Sequence, residues 1–382
     1  MTDYGRRKRI VLAGGGHAHL YTLARVGKLV RRGFDVTLVD PSPHLYYSGM
    51  ATGVISGSYN PDEHRIDVRR LVEEGGGTFV EDRVTDIRVE DREFVLETGG
   101  TVPYDAASVC LGSEVRWNGH WSGSAADEAD ALRVKPIEQT GEIRRRLMAF
   151  DKGRKPRVLI VGGGAAGCEV AANTLALLDR LGLEGSLTIA QRSDSLLPRA
   201  PKKARDQVLH FLRERGAEVL TSTSVARLGD GVAWTAGGRE VAFDLLVLAV
   251  GVSPPDVFRD SRLPTGEGGG LRVDRHLRSI GDECLFGGGD CISFDRRSLP
   301  NLGVFAIRQG PVIFENLQAA LTGEPLSEYR PRRRFLYVLN LGNGTGLAVY
   351  GPLVWLGRFS WKLKHRIDGK FVEKYRRRRP ET

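Results

Sequence analysis

The sequence predicts an α/β fold made of two copies of one structural plan. The stretches RIVLAGGGHAHLYTLARVG and RVLIVGGGAAGCEVAANTL each place a short apolar run before three glycines and a helical pattern. Segments with Gly-Gly turns follow, typical of antiparallel strands, and then an apolar strand that ends in glycine. The first glycines, Gly14 and Gly162, are 148 residues apart, and the closing ones, Gly112 and Gly251, are 139 apart. These similar offsets indicate a duplicated domain.

The glycine turns predict that both copies are Rossmann-like and bind dinucleotides. A strand that enters a helix through a tight glycine turn brings backbone N–H groups and the helix N-terminus to a pyrophosphate. The second copy has the complete GxGxxG pattern, at Gly162, Gly164 and Gly167. The first copy has Gly14 and Gly16, then His17, Ala18 and His19. Since His19 replaces the third glycine, which governs helix–strand packing, we expect this helix to lie slightly farther from its strand.

The end of each second strand predicts which nucleotide is bound. Asp40 stands 26 residues after Gly14, and a carboxylate there accepts the hydroxyls of an adenosine ribose. The second copy instead ends at Gln191 and Arg192. A neutral residue before an arginine tolerates, or pairs with, a 2′-phosphate, so NADPH is at least as plausible as NADH. A solvated surface role for Arg192 is equally consistent with the sequence.

Charge is concentrated near the C-terminal end. Residues 351–382 carry ten Lys/Arg and three Asp/Glu, which leaves +2 of the net +9 for the first 350 residues. This near-neutral body argues against a nucleic-acid partner. The chain has four scattered cysteines, in no CxxC or metal-ligand cluster, and neither a signal-peptide pattern nor an apolar run of 18 residues. We therefore expect a cytoplasmic protein with reduced thiols and no metal site.

The late stretch CLFGGGDCISF resembles the second FAD fingerprint of the two-domain flavoproteins, the pyridine nucleotide-disulfide oxidoreductase superfamily. In that superfamily an aspartate matching Asp290, preceded by a glycine matching Gly289, binds the flavin ribitol. The resemblance implies FAD and NADH or NADPH as cofactors, with the second domain inserted in the first. The implied boundaries are 1–150 and 281–325 for the FAD domain, 151–280 for the NAD(P) domain, and 326–382 for a helical and antiparallel C-terminal region.

Within the superfamily, the chain looks most like the type II NADH dehydrogenase branch, including its selenophosphate-synthase-associated members. GGGHAH, YYSGM, RQGPVIFENL and WKLKHRIDGKFVEKY carry this likeness. It implies an enzyme that passes hydride from NAD(P)H to FAD and electrons to a quinone or a similar small acceptor. The segment PSPHLYYSGM lacks the cysteine pair of the disulfide reductases. A sulfide:quinone reductase-like enzyme and a non-catalytic flavoprotein regulator remain alternatives.

The resemblance also implies roles for single residues. Ser48 and Met50, in YYSGM, are expected beside the flavin ring. A glutamate matching Glu169 lies near nicotinamide and flavin in the type II enzymes, although a helix-capping carboxylate is the plainer alternative. Lys135 is expected to place a cation near the reduced flavin, or else to be a surface lysine between the domains. Gln309 matches a glutamine that faces the quinone carbonyl.

The C-terminal tail has large apolar residues at every fourth position among lysines and arginines. They are Trp355, Phe359, Leu363, Ile367, Phe371 and Tyr375. We favour attachment to an anionic membrane surface, on the inner face of the cell membrane, because cations and interfacial aromatic residues suit it. A helix packed on the FAD domain or across a homodimer is the next interpretation. Deleting residues 353–382 is then expected to release the protein from anionic vesicles and to leave FAD bound.

Overall fold

The computed structural model describes residues 6–151 and 153–376. The strands are β1 Lys8–Ala13, β2 Phe34–Asp40, β3 His44–Tyr46, β4 Arg65–Asp67, β5 Thr78–Glu81, β6 Val84–Arg88, β7 Glu93–Leu96, β8 Thr101–Pro103, β9 Ala106–Val109, β10 Glu114–Val115, β11 His120–Trp121, β12 Leu132–Arg133, β13 Arg157–Val161, β14 Ser186–Ala190, β15 Ala217–Leu220, β16 Val225–Gly229, β17 Val232–Thr235, β18 Glu240–Ala242, β19 Leu245–Leu248, β20 Val252–Ser253, β21 Leu271–Val273, β22 Leu285–Gly287, β23 Ile292–Phe294, β24 Leu336–Asn340, β25 Gly346–Tyr350 and β26 Leu353–Gly357. The helices are α1 Leu20–Leu23, α2 Val26–Arg31, α3 Ser48–Ser56, α4 Val68–Glu74, α5 Ala125–Asp130, α6 Gln139–Met148, α7 Ala165–Leu181, α8 Lys202–Glu214, α9 Val257–Asp260, α10 Gly303–Thr322 and α11 Arg358–Arg376.

Two parallel sheets with matching strand orders confirm the predicted duplication. The first sheet has the order β22-β9-β1-β2-β5, and the second has β12-β19-β13-β14-β15. Each is accompanied by antiparallel strands, β6-β7-β8 in the first copy and β16-β17-β18 in the second. The central strands β1 and β13 are almost entirely buried, because helices and loops cover both faces of a parallel sheet. This is the tandem Rossmann-like fold that the sequence predicts.

The chain returns to the first sheet after it completes the second. Strand β22 pairs in parallel with β9, whereas β12 to β19 build the second unit. The second unit is therefore inserted in the first, as predicted. Strand β12 already pairs with β19, ahead of the boundary expected near residue 150. The domain limits taken from the resemblance remain predictions.

The C-terminal region consists of the antiparallel sheet β24-β25-β26 and the helix α11. Leu339, Leu347 and Val354 of this sheet join the hydrophobic core of the second unit. Val372 and Tyr375, near the end of α11, join the core of the first. The region therefore packs against both units, and this agrees with the predicted mixture of helix and antiparallel strand.

The apolar residues of the tail do not form one continuous helical stripe. Trp355 lies in β26, and α11 begins after Gly357 and passes through Gly369 without interruption. The side chain of Phe359 is 77% exposed, whereas Tyr375 is only 3% exposed. Deleting residues 353–382 would thus also remove core residues such as Val354 and Val372. That this deletion leaves FAD bound stays a prediction. The arginines at 377–379, which belong to the basic tail of the sequence prediction, lie outside the described residues.

No helix among the described residues is both long enough and apolar enough to cross a membrane.

Candidate active site

The first glycine turn lies directly against the end of β9. A side chain at Gly14 would overlap the carbonyl oxygen of Cys110, and one at Gly16 would come within 2.5 Å of the Cys110 sulfur. Gly14 also has φ +87°, in the left-handed region that favours glycine. The turn therefore needs both glycines to bring its backbone close to the neighbouring strand, and it forms a cradle of the kind that holds a pyrophosphate.

His19 occupies the position of the missing third glycine, and its buried ring forms two hydrogen bonds. Its Nδ1 lies 2.6 Å from the carbonyl oxygen of Gly14, and its Nε2 lies 2.8 Å from the hydroxyl of Ser108 in β9. Burial lowers the pKa of His19 to about 4, so the ring is neutral at physiological pH. The helical segment after it is split into α1 and α2. His19 therefore ties the glycine turn to the sheet and is not available to a ligand.

Asp40 holds the first glycine turn from the end of β2. Its Oδ2 accepts the N–H of Gly15 at 2.5 Å, and its Oδ1 accepts the N–H of Ser42 at 2.8 Å. Burial nevertheless raises the pKa of Asp40 above its ordinary value. The structure thus places the predicted ribose-binding carboxylate at the glycine turn, although its oxygens also fix the local backbone.

The second glycine turn repeats this arrangement with different residues. A side chain at Gly162 would overlap Ala249, and one at Gly167 would overlap the carbonyl oxygen of Gly162, whereas a Cβ at Gly164 meets nothing within 4 Å. The N–H of Gly163 is accepted by the amide oxygen of Gln191 at 2.8 Å. Gln191 is therefore the structural counterpart of Asp40. The closing glycines Gly112 and Gly251 also border open space.

Lys135 and Asp290 come together although they are 155 residues apart in the sequence. The ammonium group of Lys135 forms an ion pair with the Asp290 carboxylate and donates to the Ser113 hydroxyl at 2.8 Å. The Ser113 hydroxyl donates to the same carboxylate at 3.2 Å. The cluster places the predicted ribitol ligand and the predicted flavin-side cation at one point between the units.

Gln309 binds the loop that carries Asp290. Its amide oxygen accepts the N–H of Gly289 at 2.7 Å. Both residues line a small pocket together with Leu299, Asn301, Leu302 and Phe305. Gln309 is buried, and its oxygen is used by the backbone, so only its amide nitrogen is left to face a ligand.

The surroundings of His17 fit a bound cofactor. His17 packs at a ring distance of 5.5 Å from Tyr47, and its Nε2 is buried without a hydrogen-bond partner among the described residues. Gly303, at the start of α10, borders both His17 and the hydroxyl of Ser48. Since a buried polar atom without a partner is costly, an added group that bonds to it is favoured. The glycine cradle, this free nitrogen and Asp290 together fit FAD.

YYSGM forms the entry to α3. Ser48 is the first residue of that helix, and Met50 is buried below it, as is Ala18 beside the glycine turn. Tyr47 precedes the helix and is buried as well. The segment therefore lies beside the predicted flavin site, and its buried aromatic residue is Tyr47, whereas Tyr46 is half-buried.

Glu169 faces the C-terminal region from α7. Its Oε1 accepts the N–H of Asn340 at 2.6 Å. Burial raises the pKa of Glu169 to about 7; the positive charge of Lys364 and the Asn340 bond oppose this rise, and the charge of Asp368 adds to it. Glu169 does not cap its own helix. It is a carboxyl group that changes its charge near neutral pH.

The charged neighbours of Glu169 lie on α11 and were not predicted from the sequence. Lys364 and Asp368 form an ion pair at 2.9 Å, with side chains only 9% and 7% exposed. The hydroxyl of Tyr47 donates to Asp368 at 3.0 Å. Tyr59 has a buried hydroxyl without a partner among the described residues, and Asp368 also raises its pKa. We name Tyr47, Tyr59, Glu169, Lys364 and Asp368 the junction cluster.

All four cysteines are buried. Burial raises the pKa of each thiol, to about 12 for Cys291. Thiols of this kind are not nucleophilic at neutral pH. They form neither a disulfide nor, among the described residues, part of a metal-binding group.

Residues 8–310 match the family model of the pyridine nucleotide-disulphide oxidoreductases. The chain belongs to this family. A demethylphylloquinone reductase, NdbB, of Synechocystis sp. is 27% identical and aligns with 94% of this chain and 91% of that protein. The predicted membership of the superfamily is therefore confirmed.

Two solved structures share the fold. The NDH2 of Plasmodium falciparum in complex with NADH has a TM-score of 0.80 at 15% identity, over 96% of each chain. The sulfide:quinone oxidoreductase of Aquifex aeolicus has a TM-score of 0.82 at 14% identity, over 97% of this chain and 91% of that one. At such identities the likeness establishes the fold alone.

Proposed function

We propose that the protein is an FAD-dependent NAD(P)H:quinone-type oxidoreductase. The first unit holds FAD at Gly14, Gly16, His17, Asp40 and Asp290, and the second unit holds the nicotinamide nucleotide. When bound, FAD accepts hydride from NAD(P)H and passes two electrons to the acceptor. The family membership and the two glycine turns support this assignment.

The observation that carries the choice of acceptor is the junction cluster. A quinone takes up two protons with its two electrons, so it requires side chains that hold and release protons near neutral pH. Glu169, with a pKa of about 7, meets this requirement, and Lys364 stabilises its charged form. A disulfide acceptor, or sulfide as an electron donor, would instead require an accessible thiolate, and the buried thiols do not provide one.

Lys135, Gln309 and Glu169 have distinct roles in the proposed reaction. Lys135 neutralises Asp290 and is placed to stabilise negative charge beside the cofactor. Gln309 fixes the Gly289 loop, and its amide nitrogen is left to donate to an acceptor carbonyl. The Glu169 carboxyl is the proposed proton donor. Asp368, whose negative charge adds to the raised pKa of Glu169, accepts a hydrogen bond from the hydroxyl of Tyr47.

The test is anaerobic reduction of the flavin-loaded protein by NADH and by NADPH, followed by a short-chain quinone. Fast bleaching of the flavin and fast reoxidation by the quinone are expected. Bleaching without reoxidation would refute the quinone and leave another acceptor. The absence of bleaching with either nucleotide would refute hydride transfer.

We also propose that the protein attaches to an anionic membrane, on the inner face of the cell membrane. The proposed contact patch consists of the exposed apolar residues Leu353, Trp355 and Leu356 of β26 and Phe359 of α11. The exposed cations Arg358, Lys362, Arg366 and Lys370 of α11 belong to it as well. Cations beside interfacial aromatic residues favour anionic lipid by up to about 1 kcal/mol for each well-placed charge. The alternative partner of this patch is a second copy of the chain, in a homodimer.

Co-sedimentation with phosphatidylglycerol vesicles tests this attachment. Trp355→Glu with Phe359→Glu is expected to abolish binding, whereas Met148→Glu, an equally exposed apolar residue on α6, is expected to keep it. Both variants leave the buried half of α11 unchanged. Binding that survives the double substitution would refute the membrane surface, and a change of oligomeric state would favour the dimer.

A further inference from the structure

The two glycine turns hold residues of different charge at equivalent positions. In the first unit the carboxylate of Asp40 accepts the N–H of Gly15, and in the second the amide of Gln191 accepts the N–H of Gly163. The amide nitrogen of Gln191 is also used, since it donates to the carbonyl oxygen of Ser195 at 3.4 Å. Gln191 therefore presents no negative charge to a ribose, and both ends of its amide already form hydrogen bonds.

The residues that follow Gln191 are strongly cationic. From 191 to 205 the chain has five Lys/Arg and one Asp. Arg192 is exposed and takes part in no ion pair within the described part of the chain. An arginine in this state is free to pair with an anionic group of a ligand.

Arg205 reaches the same loop from the first turns of α8. Its guanidinium donates to the hydroxyl of Ser195 at 3.2 Å, and its Nε is buried without a partner among the described residues. Gln191 and Arg205 therefore both bond to Ser195, and Arg192 lies on the short loop between them. Both arginines therefore lie close to Gln191, the position where a carboxylate would otherwise bind the ribose hydroxyls.

The nearby acids do not cancel this charge. Asp206 is paired with Lys202 at 2.6 Å. Asp194 is exposed, and its carboxylate accepts the Ser195 hydroxyl at 3.0 Å. Besides this Lys202–Asp206 pair, the loop and the start of α8 have four cations against the one acid Asp194. These cations are Arg192, Arg199, Lys203 and Arg205.

We propose that the second unit selects NADPH over NADH, with Arg192 and Arg205 binding the 2′-phosphate beside the neutral Gln191. This inference rests on the proposed function, in which the second unit binds the nicotinamide nucleotide. A guanidinium pairs with a phosphate through parallel N–H donors, and the absence of a carboxylate removes the repulsion that excludes NADPH. Gln191 contributes because it is neutral and does not repel the 2′-phosphate, whereas Arg192 contributes by direct contact with that phosphate.

The experiment is calorimetric titration of the flavin-loaded, full-length protein with 2′,5′-ADP and with 5′-AMP, the adenosine ends of NADPH and NADH, which differ only in the 2′-phosphate. Wild type is expected to bind 2′,5′-ADP at least about tenfold more tightly, since one charge-assisted contact supplies a difference of that order. Arg192→Ala is expected to lose this preference. Arg213→Ala, an exposed arginine at the end of α8, is the matched control and is expected to retain it.

Gln191→Glu is the second variant, because its carboxylate can still accept the N–H of Gly163, as Asp40 does in the first unit. It is expected to reverse the preference, with a loss of about tenfold or more for 2′,5′-ADP. Equal binding of the two probes by wild type, or equal effects of Arg192→Ala and Arg213→Ala, would overturn the proposal.

Flavin bleaching by NADPH and NADH separates this inference from the proposed function. A preference for 2′,5′-ADP without bleaching by either nucleotide would support the NADPH site and refute hydride transfer. Bleaching that is faster with NADH at equal saturation, together with equal binding of the probes, would keep the oxidoreductase and overturn the NADPH site.

Discussion

Glu169 makes the stability of the protein depend on pH in a direction opposite to that of most carboxylates. Burial raises its pKa from 4.5 to about 7. The folded protein therefore binds more protons than the unfolded chain between about pH 4.5 and pH 7, and the stability contributed by this group falls as pH rises through that window. A difference of this size corresponds to about 3 kcal/mol.

Glu169→Gln removes this titration, and its amide oxygen can still accept the N–H of Asn340. We expect the free energy of unfolding of the variant, relative to wild type, to rise by up to about 3 kcal/mol between pH 5 and pH 8. The facing charged groups, Lys364 and Asp368, are present in both proteins, so their contribution largely cancels from the difference.

The assay is urea unfolding of the flavin-loaded protein at pH 5, 6, 7 and 8, followed by tryptophan fluorescence. Glu267→Gln is the control, because Glu267 is an exposed glutamate outside the junction cluster. Parallel stability curves for Glu169→Gln and wild type would show that Glu169 is an ordinary ionised carboxylate, and the proposed proton donor would lose its basis.

Three further substitutions test other parts of the structure. Lys364→Met leaves Asp368 and Glu169 without their cation and is expected to lower stability by about 3–5 kcal/mol in urea unfolding, whereas Lys362→Met, on the exposed side of the same helix, is expected to be nearly neutral. Gly167→Ala is expected to disturb the fold of the second unit, because its Cβ overlaps Gly162. Gly164→Ala is expected to keep the melting temperature and to weaken nucleotide binding, because its Cβ meets nothing within 4 Å. A lower melting temperature for Gly164→Ala than for Gly167→Ala would contradict the proposed nucleotide-binding turn. His19→Gly restores the glycine pattern but leaves the Ser108 hydroxyl without its partner and creates a cavity, so we expect the free energy of unfolding to fall by about 3 kcal/mol. An unchanged melting temperature would contradict the structural role given to His19.

The duplicated fold is predictable because its signals are local. Each glycine turn, each strand before it and the residue that ends each second strand stand within about 30 residues of one another, as the Rossmann fold requires. Asp40 and Gln191 could therefore be placed at their turns from sequence spacing alone. Asp290 followed from a fingerprint of the same local kind, and its ion pair with Lys135 gives both predicted residues a common location.

The junction cluster is not predictable in this way because its contacts are distant in sequence. Tyr47 and Asp368 are 321 residues apart, and Lys364 and Asp368 look like one of many surface pairs in a basic tail. Their burial depends on how α11 packs against two separate units. The spacing of four between Lys364 and Asp368, on the face that also holds Ser360 and Val372, is the one signal that marks a buried side of the helix.

The packing of α11 gives its two sides separate roles. Phe359 and Ile367 are exposed with the cations, while Lys364 and Asp368 are buried as part of the junction cluster. We therefore expect substitutions on the outer side to change vesicle binding and to leave the titration of Glu169 unchanged. Lys364→Met should do the opposite, because it removes the cation that opposes the raised pKa of Glu169. If instead vesicle binding itself shifts the pH dependence of flavin reoxidation, the two sides of the helix are coupled, and the membrane surface takes part in the proton supply.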